Sequence, residues 1–356
     1  MNDLRLDPEY TRREVADLQQ RAAELLRSLT GMREVEIGTA AKDVVYREDK
    51  LTLYRYRPLN TAVRGPAVLI CYALVNRPWM MDLQPDRSLI RGLLRQGIDV
   101  FLIDWGYPDG ADRLLDLDDY VNGYLLHCVD KVCELRSEAQ VNLLGVCQGG
   151  TLSLCFTALH PGKVSKLITM VTPVDFQTPD DVLSKWVQQL DVDALVAASG
   201  NVPGDFLNAA FVTLMPFRLL SQKYVALLDM AQDRTRLENF LRMEKWIFDS
   251  PDQPGALFAQ FVKNLYQHNR LIRGELRIGD RTVQLRNIRQ PVFNVFATED
   301  HLVPPAASRC LQHHLGSTRY AELAFAGGHI GIYVSGKAQQ QIPAALAEWL
   351  NRAETP

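Results

Sequence analysis

The first stretch of the sequence that could carry chemistry has the spacing Gly-x-Cys-x-Gly. It holds Gly145, Cys147 and Gly149 in "LLGVCQGGTL", and Gly150 follows directly. Small residues around a sharp strand-to-helix turn let the two elements approach and push the central side chain outward as a nucleophile. The N-terminal dipole of the following helix favours a thiolate. The pattern predicts a cysteine nucleophile, although a buried turn without a function can share it.

The acid and base for such a nucleophile are expected further along the chain. In a sheet with this turn, nucleophile, acid and histidine occur in that order, each after the carboxyl end of a strand. Asp300 ends the apolar run "VFNVFATED", and His329 follows "LAFAGG". We therefore predict a triad of Cys147, His329 and Asp300. Asp300 as a turn cap and His329 as a loop residue stay open, and the adjacent His301 is a rival base or a residue of the substrate entrance.

Two backbone N–H groups are expected to stabilise the negative charge that develops on an attacked carbonyl. The residue after the nucleophile, Gln148, supplies the first. The second is expected from "YALVNRP", where Val75 is our choice and Leu74 or Asn76 the alternative. Loss of one such donor typically costs about 2.7–4 kcal/mol of transition-state stabilisation.

The composition limits the classes of function. Of 356 residues, 47% are hydrophobic and 23% charged, and the formal net charge of −3 offers no basic excess for nucleic acid. There is neither a signal-peptide pattern nor an apolar run of membrane length. The six cysteines include no C-x-x-C pair. We expect no disulfide framework, no bound metal, a reducing cytoplasmic setting, and the other five cysteines in the core.

Alternating strands and helices must position these residues. Short alternating runs predict a hairpin over 44–57, and continuous apolar runs predict strands buried on both faces. The predicted buried strands are 66–75, 99–106, 140–145, 167–174, 290–300 and 320–329, and the predicted helices are 7–29, 87–95, 118–136 and 337–351. This order predicts an α/β fold, a mostly parallel sheet with helices on both faces.

A change of pattern marks a second region. From 176 to 269, helical patterns rich in aromatic residues replace the buried strands. We interpret residues 176–269 as an inserted helical cap, and residues 1–175 with 270–356 as the α/β core. Within the core, "ELRIGDRTVQL" predicts a short hairpin with its turn at Gly279 and Asp280.

A thiol nucleophile indicates transfer of an acyl group to an alcohol. A cysteine acyl-enzyme is a thioester, so it keeps the activation of an incoming acyl-CoA, part of which a serine ester would lose. His329 would take the thiol proton, and Asp300 lies close enough to activate the acceptor hydroxyl. A large apolar cap would exclude competing water.

Several longer strings resemble the catalytic subunit of class III poly(3-hydroxyalkanoate) synthases, which have the α/β-hydrolase fold. They are "GVCQGG", "YALVNRPWMMDLQPDRSLIRGL", "FLIDWGYPD", "TMVTPVDFQTPD", "RMEKWIFDSPDQPG", "DHLVPPAASR" and "AFAGGHIGIYVSGKAQ". The resemblance covers nearly the whole chain. It implies an acyltransferase that polymerises (R)-3-hydroxyacyl-CoA, chiefly 3-hydroxybutyryl-CoA, into polyester and releases CoA, with no separate cofactor.

The resemblance also implies residue roles and partners. The family nucleophile falls on Cys147, its histidine on His329 and its aspartate on Asp300, which in the family activates the 3-hydroxyl of the incoming or growing unit. Asp300→Ala is then expected to be acylated but to elongate poorly. The resemblance further implies a cytoplasmic location at the surface of polyester granules, a second, non-catalytic subunit, and a homodimer.

Two other functions share parts of the pattern. A thioesterase or lactone hydrolase with a cysteine nucleophile would use the same residues and differ only in its acceptor. It would convert 3-hydroxybutyryl-CoA to soluble acid rather than insoluble polyester. A non-enzymatic granule scaffold with an inactive hydrolase fold would keep its cellular phenotype after Cys147→Ala.

Overall fold

A computed structural model shows one large sheet between layers of helices, and it describes residues 7–32, 34–59, 65–214 and 222–352. The strands of the sheet are, in chain order, β1 (Lys42–Glu48), β2 (Leu51–Tyr56), β3 (Ala67–Cys71), β4 (Asp99–Asp104), β5 (Val141–Val146), β6 (Val164–Met170), β7 (Val292–Ala297) and β8 (Tyr320–Phe325). In space their order is β1-β2-β4-β3-β5-β6-β7-β8.

Most of the sheet is parallel. β2 pairs antiparallel with β1 and with β4, and β4, β3, β5, β6, β7 and β8 pair in parallel. β3, β4 and β7 are buried at every position, because helices cover both faces of a parallel sheet. The predicted α/β fold class is confirmed.

Helices connect and cover the strands. The α-helices are α1 (Pro8–Thr30), α2 (Leu89–Arg95), α3 (Leu126–Arg136), α4 (Gln148–Leu159), α5 (Val182–Val187), α6 (Val192–Ser199), α7 (Gly204–Leu214), α8 (Lys223–Leu228), α9 (Arg234–Ile247), α10 (Gly255–Phe261), α11 (Arg270–Arg273), α12 (Pro305–Arg309), α13 (Gly331–Val334) and α14 (Gly336–Asn351). Short 3-10 turns lie at Pro78–Met81, Gly110–Leu114, Pro161–Lys163, Leu285–Asn287 and Cys310–His313, and π-helical segments at Asp119–Leu125 and Val262–Gln267.

Side chains of alternate strand residues pack into two separate apolar clusters, one on each face of the sheet. On β4, Phe101 and Ile103 join the cluster that includes residues of α3 and α4. Val100 and Leu102 join the cluster that includes residues of α2 and α14. This alternation follows from the two-residue repeat of a strand. Each fully buried large apolar side chain contributes about 1.5–3 kcal/mol to the stability of the fold. The two clusters therefore stabilise the sheet from both faces.

The sequence located the strands but extended several of them too far. The strand predicted at 66–75 ends at Cys71, and the strand predicted at 167–174 is Val164–Met170. Most of the apolar residues beyond these ends are also buried, namely Tyr72, Ala73, Leu74, Val171 and Val174, so burial alone did not mark the strand ends. The helix predicted at 118–136 begins with a π-helical segment, whose wider turn an apolar pattern does not distinguish from an α-helix.

Two predicted hairpins are confirmed. β1 and β2 form the hairpin expected over 44–57. Arg277–Ile278 and Arg281–Thr282 form the short hairpin expected further on. Gly279 in its turn has a φ of 57°, a conformation that glycine adopts without strain.

Helices fill the described part of 176–269, and residues 215–221 of the predicted cap lie outside the described residues. Three side-chain hydrogen bonds among the described residues join this region to the loop after β3, and one of them runs from the Asn76 amide to the Ser250 hydroxyl. The indole N–H of Trp246 donates to the carbonyl oxygen of Arg77 over 2.8 Å, and the Gln253 amide donates to the carbonyl oxygen of Leu74 over 2.8 Å. The boundaries of the core and cap stay a prediction.

Three of the five remaining cysteines are buried, namely Cys71, Cys128 and Cys155, whereas Cys133 and Cys310 are half-buried. Cys133 and Cys310 therefore lie nearer the surface than predicted. In the described ranges, no helix combines the length and the apolar character needed to cross a bilayer. The same residues contain no cluster of three or more His, Cys, Asp or Glu suited to a metal ion.

Gly149→Ala should destabilise the fold, although alanine normally stabilises a helix relative to glycine. A Cβ at Gly149 would lie 2.3 Å from the carbonyl oxygen of Cys71, and this backbone is held in the sheet. We expect a loss of about 1–3 kcal/mol in the free energy of unfolding, measured by urea denaturation. Gly162→Ala is the matched control, because its Cβ would meet nothing within 4 Å. Equal stability of the two variants would contradict the tight contact.

Candidate active site

Cys147 lies at the turn between β5 and α4 with a φ of 52° and a ψ of −122°. A positive φ is uncommon for a residue with a side chain and costs about 1–3 kcal/mol. Two hydrogen bonds hold the turn. The N–H of Cys147 donates to the carbonyl oxygen of Met170 over 2.9 Å, and the N–H of Gly150 donates to the carbonyl oxygen of Cys147 over 2.9 Å. The strained backbone directs the thiol away from the strand, as the sequence motif predicts.

The predicted elbow glycines allow this turn to pack closely. A Cβ at Gly145 would lie 2.5 Å from the Cα of Gly150, and one at Gly150 would lie 1.8 Å from Thr172 Oγ1. Together with Gly149, they let α4 cross the ends of β3, β5 and β6 at a distance that no other residue type permits.

His329 and Asp300 meet behind the nucleophile. His329 Nδ1 lies 2.7 Å from Asp300 Oδ2. The Asp300 side chain has no exposed surface, and that of His329 is 7% exposed. The other Asp300 oxygen, Oδ1, accepts the N–H groups of Leu302 and Val303, each over 2.9 Å. Asp300 therefore caps this turn and also pairs with His329, and its catalytic role stays a prediction.

The imidazole of His329 also lies close enough to the Cys147 side chain for the two to interact. Because Asp300 occupies Nδ1, the nitrogen available to the thiol is Nε2. Burial of His329 opposes its protonation, but the negative charges of Asp300 and Cys147 and their hydrogen bonds outweigh burial and raise the pKa of His329 to about 10. The three predicted residues thus lie side by side, with His329 between Cys147 and Asp300.

The side chain of Gln148 contacts the loop after β3, from which the second oxyanion donor is expected. Its Oε1 accepts the N–H of Leu74 over 3.0 Å. Leu74 is therefore engaged, and of the sequence candidates Val75 and Asn76 remain for the second oxyanion donor. The Gln148 side chain was missed from the sequence, because its contact joins residues 74 positions apart. Val75 stays a prediction, as does the backbone role of Gln148.

His301, the rival base, lies at the surface. Its side chain is exposed, whereas His329 is buried beside Cys147 and Asp300. The geometry therefore favours His329 as the base and leaves His301 for the outer edge of the site.

Three tyrosines lie near the half-buried Cys147. Near Cys147, Tyr72 and Tyr333 are buried and Tyr266 is half-buried. Burial, followed by nearby negative charges that include Cys147, raises the pKa of each phenol above its ordinary value. Met243 and Ile247 of α9 pack, like Cys147, against the apolar cluster on this face of the sheet. The sequence did not predict the tyrosines, because they come from three distant segments.

Comparisons with known proteins identify the family. The α/β hydrolase fold family matches residues 66–335, and the N-terminal region of poly-beta-hydroxybutyrate polymerase (PhaC) matches residues 11–93. The chain is 53% identical to the poly(3-hydroxyalkanoate) polymerase subunit PhaC of Allochromatium vinosum, over 97% of this chain and 98% of that protein. It is 51% identical to the subunit PhaC of Thiocystis violacea, over 99% of each chain. The chain belongs to the PhaC family.

Solved structures agree on the fold of this PhaC-family chain. A soluble variant of monoglyceride lipase from Saccharomyces cerevisiae matches with a TM-score of 0.58 at 12% identity, over 92% of this chain and 100% of that chain. A hydrolase from Pseudomonas aeruginosa matches with a TM-score of 0.50 at 14% identity, over 89% and 100%. Such low identities show the α/β-hydrolase fold alone. The resemblance inferred from the sequence is confirmed by the PhaC relatives.

Replacing His329 by glutamine should make the stability of this PhaC-family protein less dependent on pH. The ordinary pKa of histidine is 6.5, and the pKa of His329 in the folded protein is raised to about 10. The contribution of the ion pair is therefore complete below pH 6.5, decreases as the pH rises from 6.5 to 10, and is lost above. We expect the difference in unfolding free energy between wild type and His329→Gln to fall by up to ~1.4 kcal/mol per pH unit across this range.

Urea denaturation at several pH values measures this difference. His313→Gln is the matched control, because His313 is exposed on the surface. A wild-type advantage over His329→Gln that stays constant between pH 6.5 and 10 would rule out a raised His329 pKa.

Proposed function

We propose that the chain polymerises (R)-3-hydroxyacyl-CoA, chiefly 3-hydroxybutyryl-CoA, into polyester and releases CoA through a thioester on Cys147. Sequence identity of 53% and 51% with two poly(3-hydroxyalkanoate) polymerase subunits, over almost the whole chain, carries this proposal. The row of Cys147, His329 and Asp300 supports the chemistry. We assign these three residues as nucleophile, base and the residue that orients the base.

In the first half of the cycle, the sulfur of Cys147 attacks the thioester carbonyl carbon of the substrate. His329 Nε2 takes the thiol proton, and the N–H of Gln148, with that of Val75, stabilises the oxyanion. The bond between the carbonyl carbon and the sulfur of CoA breaks, and His329 returns the proton to the departing thiolate. The products are free CoA and an acyl group on Cys147. No cofactor takes part, because the CoA thioester itself supplies the activation.

In the second half, the 3-hydroxyl of another 3-hydroxyacyl-CoA attacks the thioester on Cys147. His329 takes the hydroxyl proton, the bond to Cys147 sulfur breaks, and the thiolate recovers the proton. The lengthened chain still carries a CoA thioester, so Cys147 can attack it again and release CoA. Met243 and Ile247 pack against the same apolar cluster as Cys147, which supports an apolar surrounding that disfavours a competing water molecule.

We propose that Asp300 acts on the acceptor hydroxyl through His329. Its carboxylate has no exposed side-chain surface, and both of its oxygens accept hydrogen bonds. A hydroxyl is a far weaker acid than a thiol. Attack by the alcohol therefore depends more strongly on the basicity that Asp300 gives to His329 than attack by the thiol does.

The assembly and location are also proposals. The relatives are named as subunits of a polymerase, which supports a class III enzyme with a second, non-catalytic subunit. We further propose a homodimer at the surface of cytoplasmic polyester granules. Large exposed apolar side chains between positions 182 and 248 support contact with polymer or subunits. They are Val182, Trp186, Phe206, Tyr224, Val225 and Phe248.

Cys147→Ala should abolish the covalent adduct and reduce CoA release from 3-hydroxybutyryl-CoA at least ~10³-fold, because no other group can hold the acyl unit. Mass spectrometry of the quenched wild type should find the acyl group on the peptide containing Cys147. Cys310→Ala, which alters a half-buried cysteine of the opposite apolar cluster, should behave as wild type.

The product of the same reaction separates the rival activity. Insoluble polyester and rising turbidity support polymerisation, whereas soluble 3-hydroxybutyric acid formed in step with CoA would show a thioesterase. Wild type that turns over steadily without any adduct on Cys147 would rule out the covalent mechanism.

Asp300→Ala should slow elongation much more than acylation. We expect the first acylation to stay within roughly tenfold of wild type and steady-state CoA release to fall roughly 10³-fold, the scale on which an orienting aspartate acts. Rapid-quench measurement of adduct and CoA separates the two steps. Glu299→Ala, which removes the adjacent exposed carboxylate, is the control. If Asp300→Ala prevents the first acylation as fully as Cys147→Ala does, Asp300 serves both steps equally.

A further inference from the structure

The hydroxyl of Tyr333 is a buried polar group without a protein partner beside the candidate active site. Tyr333 lies in α13, four residues after His329, and is 1% exposed. The ring centroids of Tyr333 and His329 are 6.1 Å apart, and the planes of the two rings are nearly perpendicular at 81°. Among the described residues, the Tyr333 hydroxyl makes no hydrogen bond. A buried hydroxyl without a partner costs about 1–3 kcal/mol, which a suitable ligand oxygen would relieve.

The residues around the Tyr333 hydroxyl indicate that it lies on the same side of the sheet as Cys147. Tyr333 belongs to the apolar cluster against which Cys147 packs. Burial, followed by interactions with Tyr72, Cys147 and Asp300, raises the pKa of the Tyr333 phenol well above its ordinary value. The phenol therefore keeps its proton during turnover and is a hydrogen-bond donor that needs an acceptor.

A 3-hydroxyacyl group on Cys147 has two positions that carry oxygen. The carbonyl oxygen at C1 is served by the backbone N–H groups of the oxyanion site, which come from α4 and the loop after β3. The oxygen at C3 accepts a hydrogen bond both as a free hydroxyl and as an ester, and it requires a donor from another direction. Tyr333, which follows β8 on the His329 side, has such a donor.

We propose that the Tyr333 hydroxyl donates a hydrogen bond to the 3-oxygen of the acyl group held on Cys147. Tyr333 is then a specificity-determining residue that distinguishes 3-hydroxyacyl thioesters from unsubstituted ones. This inference rests on the proposed function, because it requires an acyl group on Cys147. An unsubstituted acyl group would leave the buried phenol without a partner, which is the basis on which polar sites reject such analogues.

Tyr333→Phe removes only this hydroxyl. With (R)-3-hydroxybutyryl-CoA, we expect kcat/KM for CoA release in the first turnover to fall roughly tenfold, the effect of one lost hydrogen bond. With butyryl-CoA the rate should not change. The variant should be at least as stable as wild type in thermal denaturation, because the substitution removes an unpartnered polar atom from the core.

Tyr56→Phe is the matched control. The Tyr56 hydroxyl is also buried without a partner among the described residues, and it lies in the same apolar cluster. The charged groups that act on it are those of Asp82, Asp104 and Arg91 rather than Cys147. Tyr56→Phe should therefore leave the rates with both substrates unchanged.

Three outcomes would overturn the inference. Equal losses with both substrates in Tyr333→Phe would show a structural role, and unchanged rates with both would show no role. Wild type that is acylated as fast by butyryl-CoA as by 3-hydroxybutyryl-CoA would also overturn it, without any variant. Wild type without an adduct on Cys147 would overturn the proposed function itself. An adduct with unchanged selectivity in Tyr333→Phe would overturn only the role of Tyr333.

Discussion

The whole site depends on the backbone turn at Cys147. The positive φ of this residue is unfavourable by itself, and it persists because β5, β6 and α4 hold the residues on both sides of it. Each glycine of the motif lies where a Cβ would collide with a neighbouring element. The turn brings the thiol of Cys147 together with the N-terminus of α4 and the loop after β3. A hydrogen bond from the Leu74 N–H to the Gln148 side chain fixes this loop. A looser turn would move all three apart.

The same turn places the thiol against a buried histidine that is already paired with a carboxylate. Removing charges from water is costly, so the buried pair of His329 and Asp300 is stable only because the two side chains are hydrogen-bonded to each other. Asp300 also accepts two backbone N–H groups, which fix its orientation before any substrate binds. Asp300 is thus part of the loop structure, and its carboxylate fixes the orientation of the His329 ring.

The fold class and the three residues at the centre of the site could be read from the sequence, because they depend on local patterns. The apolar runs identified the buried strands, and the position of Asp300 and His329 after two of them indicated their meeting point. Contacts between distant segments could not be read in this way. One example is the hydrogen bond from the Leu74 N–H to the Gln148 side chain. Another is the contact between the rings of Tyr333 and His329. Both contacts depend on how separate loops pack. Strand ends were also misplaced, since apolar loop residues above the sheet are buried as fully as the strands.

The fold alone does not decide between water and alcohol as the acceptor. A monoglyceride lipase shares this fold at 12% identity, so the difference must lie in what surrounds the acyl group. A thioester on Cys147 reacts with whichever oxygen nucleophile reaches it beside His329. Met243 and Ile247 pack against the same apolar cluster as Cys147, and an apolar space beside the thioester would disfavour an isolated water more than a hydroxyl attached to a carbon chain. A bound acceptor also arrives already oriented, which raises its effective concentration above that of water. If Cys147 carries the acyl group as proposed, we expect the walls of the site to select the alcohol, because the arrangement of Cys147, His329 and Asp300 suits either acceptor equally.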